Sequence, residues 1–284
     1  MLAPVIGRAQ APALQLMSMN VRRRLAPSLW PTRDRWATRE PLLRALLAAE
    51  SPSVLGVQEA LPDQDDAVLA ALGDGYERVG AGRNADGTDE RCTVYWDGRR
   101  LELESWRQLA LSAHPDRPGS RSWGSLFPRV AVVAGFRDRF DGRRFSVVNT
   151  HLDPFSGRSR SLSAAIVRSV VDDLGDAVAV MGDLNAGSGS SAVDALLAGG
   201  VLRDSWLEAE QRLTPAWRTY SGYRAPRLGS RIDWILAGRD VHVRAAAINA
   251  QRWNGRAASD HEAVQALVEL RTDAPRTQDR GVGW

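Results

Sequence analysis

Eight polar residues in this chain have the types and placement to do chemistry: Asn20, Glu59, His151, Asp183, Asn185, Asp233, Asp260 and His261. Asp233 is the sharpest, because a carboxylate set between Ile232 and Trp234-Ile235-Leu236 is costly to bury without a cation or strong donors beside it. His261 is the natural partner, since an Asp that accepts from an imidazole sets its tautomer and keeps it positively charged. Glu59, Asn20 and Asp260 offer hard oxygen ligands of the kind magnesium or manganese prefers. Zinc is disfavoured, because the one close pair of zinc-type ligands is Asp260-His261, and neighbouring side chains do not converge on a regular element.

Each of these residues alone has a plain explanation, since an Asp or Asn after a strand is by default a turn former. Their joint placement is what matters. Asn20 closes the apolar run LQLMSMN (14–20), Glu59 follows a strand at Val54 to Gln58, and His151 follows RFSVVNT. Asp183 and Asn185 follow the strand Ala177 to Met181, Asp233 sits in a strand Ile232 to Leu236, and Asp260 and His261 precede one at Ala263 to Leu270. Strand ends are where a sheet scaffold gathers its loops into a cleft.

Helices are expected over 38–49, from about Asp63 to Leu72, and from Ser161 to Leu174; further strands at 92–96 and 101–109. A hairpin joins RVAVVAGF to RFSVVNT through Asp141-Gly142. Many strands with few helices indicate two packed sheets with helices outside, in one domain. The expected boundaries are a flexible lead at 1–13, the domain at 14–271 and a loose tail at 272–284.

All 37 basic residues are arginine, which removes lysine nucleophiles and leaves guanidinium, imidazole, backbone amide or metal to hold a phosphate. Arg83, Arg129 and Arg160 are the candidates for such a grip. The net charge of +3 is too small to name a partner, and the run Arg22 to Arg24 reads as a solvated loop. A single cysteine excludes an internal disulfide, and no apolar run is long enough to span a membrane, so a cytoplasmic monomer is expected.

In chain order the motifs are MSMN, VQEA, NTHLD, GDLNA, RIDWIL and SDH, spanning about residues 14 to 271. This combination resembles the endonuclease/exonuclease/phosphatase superfamily, and SWGSLFPR and TYSGY resemble a bacterial branch of it. The resemblance implies an α/β (α+β) fold, a four-layered sandwich of two mostly antiparallel sheets with helices outside. It also implies a metal-dependent hydrolase of phosphate esters that uses Mg2+ or Mn2+. Asn20 and Glu59, with Asp260 close by, would bind the metal. Asp183 would orient or deprotonate the attacking water, Asn185 would hold the water or a phosphate oxygen, His151 and His261 would face the phosphate, and Asp233 would pair with His261. The stretch after His151, DPFSGRSR, departs from the branch, so it does not define substrate contacts. A small molecule or lipid headgroup is the favoured substrate. The alternatives are a nuclease and a non-catalytic binding protein, and the latter conflicts with the intact motif residues.

Overall fold

The computed structural model describes residues 3–25, 32–175 and 177–271. The chain builds two mixed sheets packed face to face. The first contains β1 (Leu14–Asn20), β2 (Val54–Gln58), β3 (Tyr76–Val79), β4 (Val94–Asp97), β10 (Gln211–Arg212), β12 (Val241–Asn249) and β13 (Ala263–Leu270), ordered β10-β12-β13-β1-β2-β4-β3. The second contains β5 (Leu101–Ala110), β6 (Val130–Asp138), β7 (Arg144–His151), β8 (Val178–Asp183), β9 (Leu202–Asp204) and β11 (Asp233–Gly238), ordered β5-β6-β7-β8-β11-β9. Most pairings are antiparallel, and the exceptions include β1 with β2 and β7 with β8.

Period-two burial explains the layers. Leu14, Leu16, Val54 and Trp96 of the first sheet pack on Val132, Phe136, Met181 and Ile235 of the second. The opposite face of the first sheet, with Met17, Met19, Leu55 and Val57, is covered by α1 (Trp36–Glu50) and α2 (Pro62–Leu72). The outer face of the second is covered by α3 (Gly157–Leu174) and α4 (Ser191–Leu197), through Ala164, Val167, Val193 and Leu196. A one-turn α5 (Ser205–Glu208) lies after β9. The expected four-layered sandwich is the observed fold.

Most expected elements appear with shifted ends. The third helix begins at Gly157, not Ser161, because the Ser156 hydroxyl accepts from the Ser159 amide and caps it. β3, β9, β10, β12 and α4 were not anticipated. Residues 3–13 are also not a loose lead: the fully buried carboxylate of Glu50 accepts from the amides of Val5, Ile6 and Gly7, and from Gln15 Nε2 and Asn249 Nδ2. The expected tail at 272–284 lies outside the described residues.

Candidate active site

Strand register assembles the site. β1 and β2 run parallel with Asn20 opposite Gln58, so Glu59 emerges one residue further on, in the left-handed region at φ 64°. β7 and β8 also run parallel, with His151 opposite Asp183, and antiparallel β11 places Asp233 opposite Asp183 on its other side. The loop before β13 brings Asp260 and His261 to the same edge. The GDLN turn is locally encoded: Asp183 Oδ1 accepts the Asn185 amide at 2.8 Å, and Asn185 takes φ 47°, a conformation Asn tolerates.

Beneath the cleft a polar network ties the sheets together. Gln58 Nε2 donates to Asn149 Oδ1 at 2.7 Å, and Asn149 Nδ2 donates to the carbonyls of Val57 and Thr93. Above it, Asn20 Nδ2 donates to Glu59 Oε1 at 2.9 Å and, across the sandwich, to Asp183 Oδ2 at 3.1 Å. His261 Nδ1 donates to Asp233 Oδ2 at 2.9 Å, and Asp233 in turn has its amide held by the Thr219 hydroxyl. Asp183 Oδ2 lies 3.6 Å from His151 Nε2 and 3.8 Å from His261 Nε2, so both imidazoles stand over one carboxylate.

Charge states follow from these neighbours. Burial alone would depress His261, but Asp233 and then Asp183 hold it well above the usual histidine range. Burial and the adjacent Arg129 push His151 well below that range, so it is a neutral imidazole. The two histidines therefore differ in charge. Burial and the charge of Asp233 raise Asp183 to about 7. Glu59 goes the other way: burial opposes ionisation, but hydrogen bonds from the Arg23 amide and the Asn20 side-chain amide, with the charge of His261, hold it below the usual carboxylate range.

Glu59, Asp183, Asp260 and Asp233 concentrate more buried carboxylate at one sheet edge than the nearby cations neutralise, as the raised Asp183 and Asp260 show. A hard divalent cation suits this donor set. Ligand atoms of Asp183, Asp233 and His261 lie within 4.8 Å of one another, near enough for one ion. Asp233 and His261 already satisfy each other, and among the expected ligands Asn20 Oδ1 accepts from the Arg22 amide while Glu59 accepts from Asn20 Nδ2 and the Arg23 amide.

The cleft above these groups has a volume of about 450 Å³. It is lined by Glu59, His151, Asp183, Asn185, Asp260 and His261, together with Arg83 and Arg129; Asn20 and Asp233 lie beneath as buried supports. Arg160 does not reach it, because its Nη1 donates at 2.8 Å to the Asp153 carbonyl below the start of α3. Arg22 and Arg23, read from the sequence as solvated, line the cleft instead. Arg22 approaches Asp260 at 3.7 Å and Arg23 pairs with Glu90 at 2.7 Å. The aromatic rim of Phe127, Phe155 and Tyr220 was also missed. Arg22 and Arg23 stand two and three residues after Asn20, and that proximity was the available signal.

A sandwich whose strand ends gather carboxylates, imidazoles and guanidinium groups in one cleft defines a hydrolytic phosphoesterase. The Endonuclease/Exonuclease/phosphatase family model matches residues 17–261, and the chain belongs to that family. No curated protein sequence matches it. Among solved structures, an endonuclease/exonuclease/phosphatase family protein from Bacteroides thetaiotaomicron is 25% identical with a TM-score of 0.85, over 93% of this chain and 100% of that one. A mannosyl-6-phosphatase from the same organism is 24% identical, TM-score 0.83, over 90% and 100%. TDP2 of D. rerio, complexed with single-strand DNA product, is 18% identical, TM-score 0.68, over 91% and 100%. The last two bear on the fold alone.

Proposed function

We propose that the protein is a divalent-metal-dependent hydrolase that cleaves phosphate esters by in-line attack of water. The observation that carries this reading is Asp183 seated beneath both His151 and His261, with Asp233 fixing His261. Asp183, raised to about 7, is matched to accept a proton from water near neutral pH. Asn185, beside it, orients that water or a phosphate oxygen. His261, kept cationic, offers Nε2 to charge developing on phosphate oxygens, while neutral His151 hydrogen-bonds. Glu59, Asn20 and Asp260 would hold Mg2+ or Mn2+, which when bound supplies positive charge to the phosphate. No covalent intermediate is required.

A small molecule or lipid headgroup is the favoured substrate. Many surface arginines are spent on local ion pairs, such as Arg137 with Glu102, Arg144 with Glu104 and Arg168 with Asp172, so they do not form a stripe for a polyanion. The cationic groups instead converge in a cleft of small-molecule size. The exposed rim rings of Phe127, Phe155 and Tyr220 favour the second reading, a nuclease that stacks bases. Among the described residues no helix is long and apolar enough to cross a membrane, and we retain a cytoplasmic monomer as part of the proposal.

The test is turnover of chromogenic phosphate esters with Mg2+, with Mn2+ and after chelation. Activity should require the metal, and Asp183→Ala should lower kcat by about a hundredfold or more. Asp183→Ala at wild-type activity would remove the base role.

A further inference from the structure

Other buried arginines in this protein are occupied by the protein itself. Arg39, fully buried, donates to the carbonyls of Asp34, Val21 and Arg22. Arg83 is bound to Asp89 at 2.9 Å and Glu90 at 2.7 Å. Arg129 is different. It is only 6% exposed, yet among the described residues its guanidinium makes no hydrogen bond and no ion pair, and its Nε is buried without a partner. Taking a charge out of water unpaired is strongly unfavourable, so folding alone gives no reason for this arrangement.

The surroundings supply one. Arg129 lines the cleft beside His151 and borders a small recess of about 10 Å³ shared with Glu59, Arg83 and Glu90, room for about one oxygen atom. Arg83 adds further positive charge next to it, and Glu90 and Asp153 attract it only from beyond ion-pair distance. On the mechanism proposed above, three groups of side chains face the phosphate: the carboxylate cluster around Glu59, then His261 with Asn185, and finally Arg129 with His151. A phosphodiester carries two non-bridging oxygens, whereas a monoester carries three and an additional negative charge.

We propose that the enzyme is a phosphomonoesterase in which the free fork of Arg129 binds the third terminal oxygen that only a monoester possesses. This rests on the hydrolase reading of the same site and names its substrate class. Arg129 thus selects substrate, and its unpaired state before binding is destabilisation kept for that purpose.

The test uses wild type, Arg129→Met and Arg129→Lys, with two readouts. In metal-free buffer, thermal unfolding is measured with inorganic phosphate against chloride at equal ionic strength. With Mg2+, kcat/KM is measured on p-nitrophenyl phosphate and on bis(p-nitrophenyl) phosphate. Phosphate should raise the Tm of wild type. Arg129→Met should melt at or above wild type without phosphate, gain nothing from phosphate, and lose about 10- to 100-fold in kcat/KM on the monoester but less than about threefold on the diester. Arg129→Lys, which keeps charge but not the fork, should fall between. A lower Tm of Arg129→Met without phosphate, together with equal losses on both esters, would make Arg129 structural and overturn the proposal. A wild-type preference for the diester overturns the monoester assignment alone. Absence of turnover on either ester overturns the hydrolase reading and the assignment together.

Discussion

A carboxylate placed between Ile232 and Trp234 must find a partner, and in the folded chain Asp233 spends its charge on His261. Its field acts twice, lifting His261 and raising Asp183. On the proposed mechanism activity needs Asp183 ionised and His261 protonated, so the pH profile should rise as Asp183 loses its proton near 7 and fall only where His261 does, well above the usual histidine range. Removing the charge of Asp233 lowers both transitions. Asp233→Asn should therefore move the whole bell toward lower pH and reduce its height, as read from kcat/KM against pH. An unshifted profile would remove this coupling. The same reasoning was available from sequence, where an acid inside an apolar run stands out. It was not available for Arg160, whose bond to a nearby carbonyl depends on how α3 begins, or for Arg22 and Arg23, whose direction is set by Asp260, Glu59 and Glu90.

At the scale of elements, the parallel pair β7 and β8 fixes His151 beside Asp183, and Gly182 is what lets the strands approach there. It adopts φ 146°, and a β-carbon at this position would fall 1.9 Å from the Thr150 carbonyl oxygen. Backbone cannot yield as a flexible side chain does. Gly182→Ala is expected to cost about 3 kcal/mol or more and to separate the two catalytic strand ends. A urea titration would show the lower midpoint, and turnover should fall in the protein that remains folded; an unchanged midpoint would contradict the register described. Elements with strong apolar patterning, such as β1, β2, β7 and β13, were legible in advance. β12, rich in alanine, and the two-to-four-residue β3, β9 and β10 were not, because pairing with neighbours makes them strands, not their own periodicity.

Across the whole molecule, the segment before the first strand closes over Glu50. Removing residues 1–7 would leave that buried carboxylate with Gln15 and Asn249 as its remaining donors. The loss of three amides should cost about 1–3 kcal/mol and lower Tm by several degrees, read by calorimetry. A truncated protein with unchanged Tm would restore the expectation of a loose lead.

The polar residues at strand ends, the acid at Asp233 within an apolar strand, their order along the chain and the two-sheet class were legible in the sequence, because strand-end polarity and buried charge are local features; the phosphoester chemistry was legible only through the resemblance that the ordered motifs carry. Only the tertiary structure decided that Asn20 bridges the two sheets to Asp183, that His151 is neutral while His261 is charged, and that Arg129 is buried without a partner. Each of these depends on groups far apart in sequence meeting at a distance of a few ångströms, and on how much water is excluded when they do.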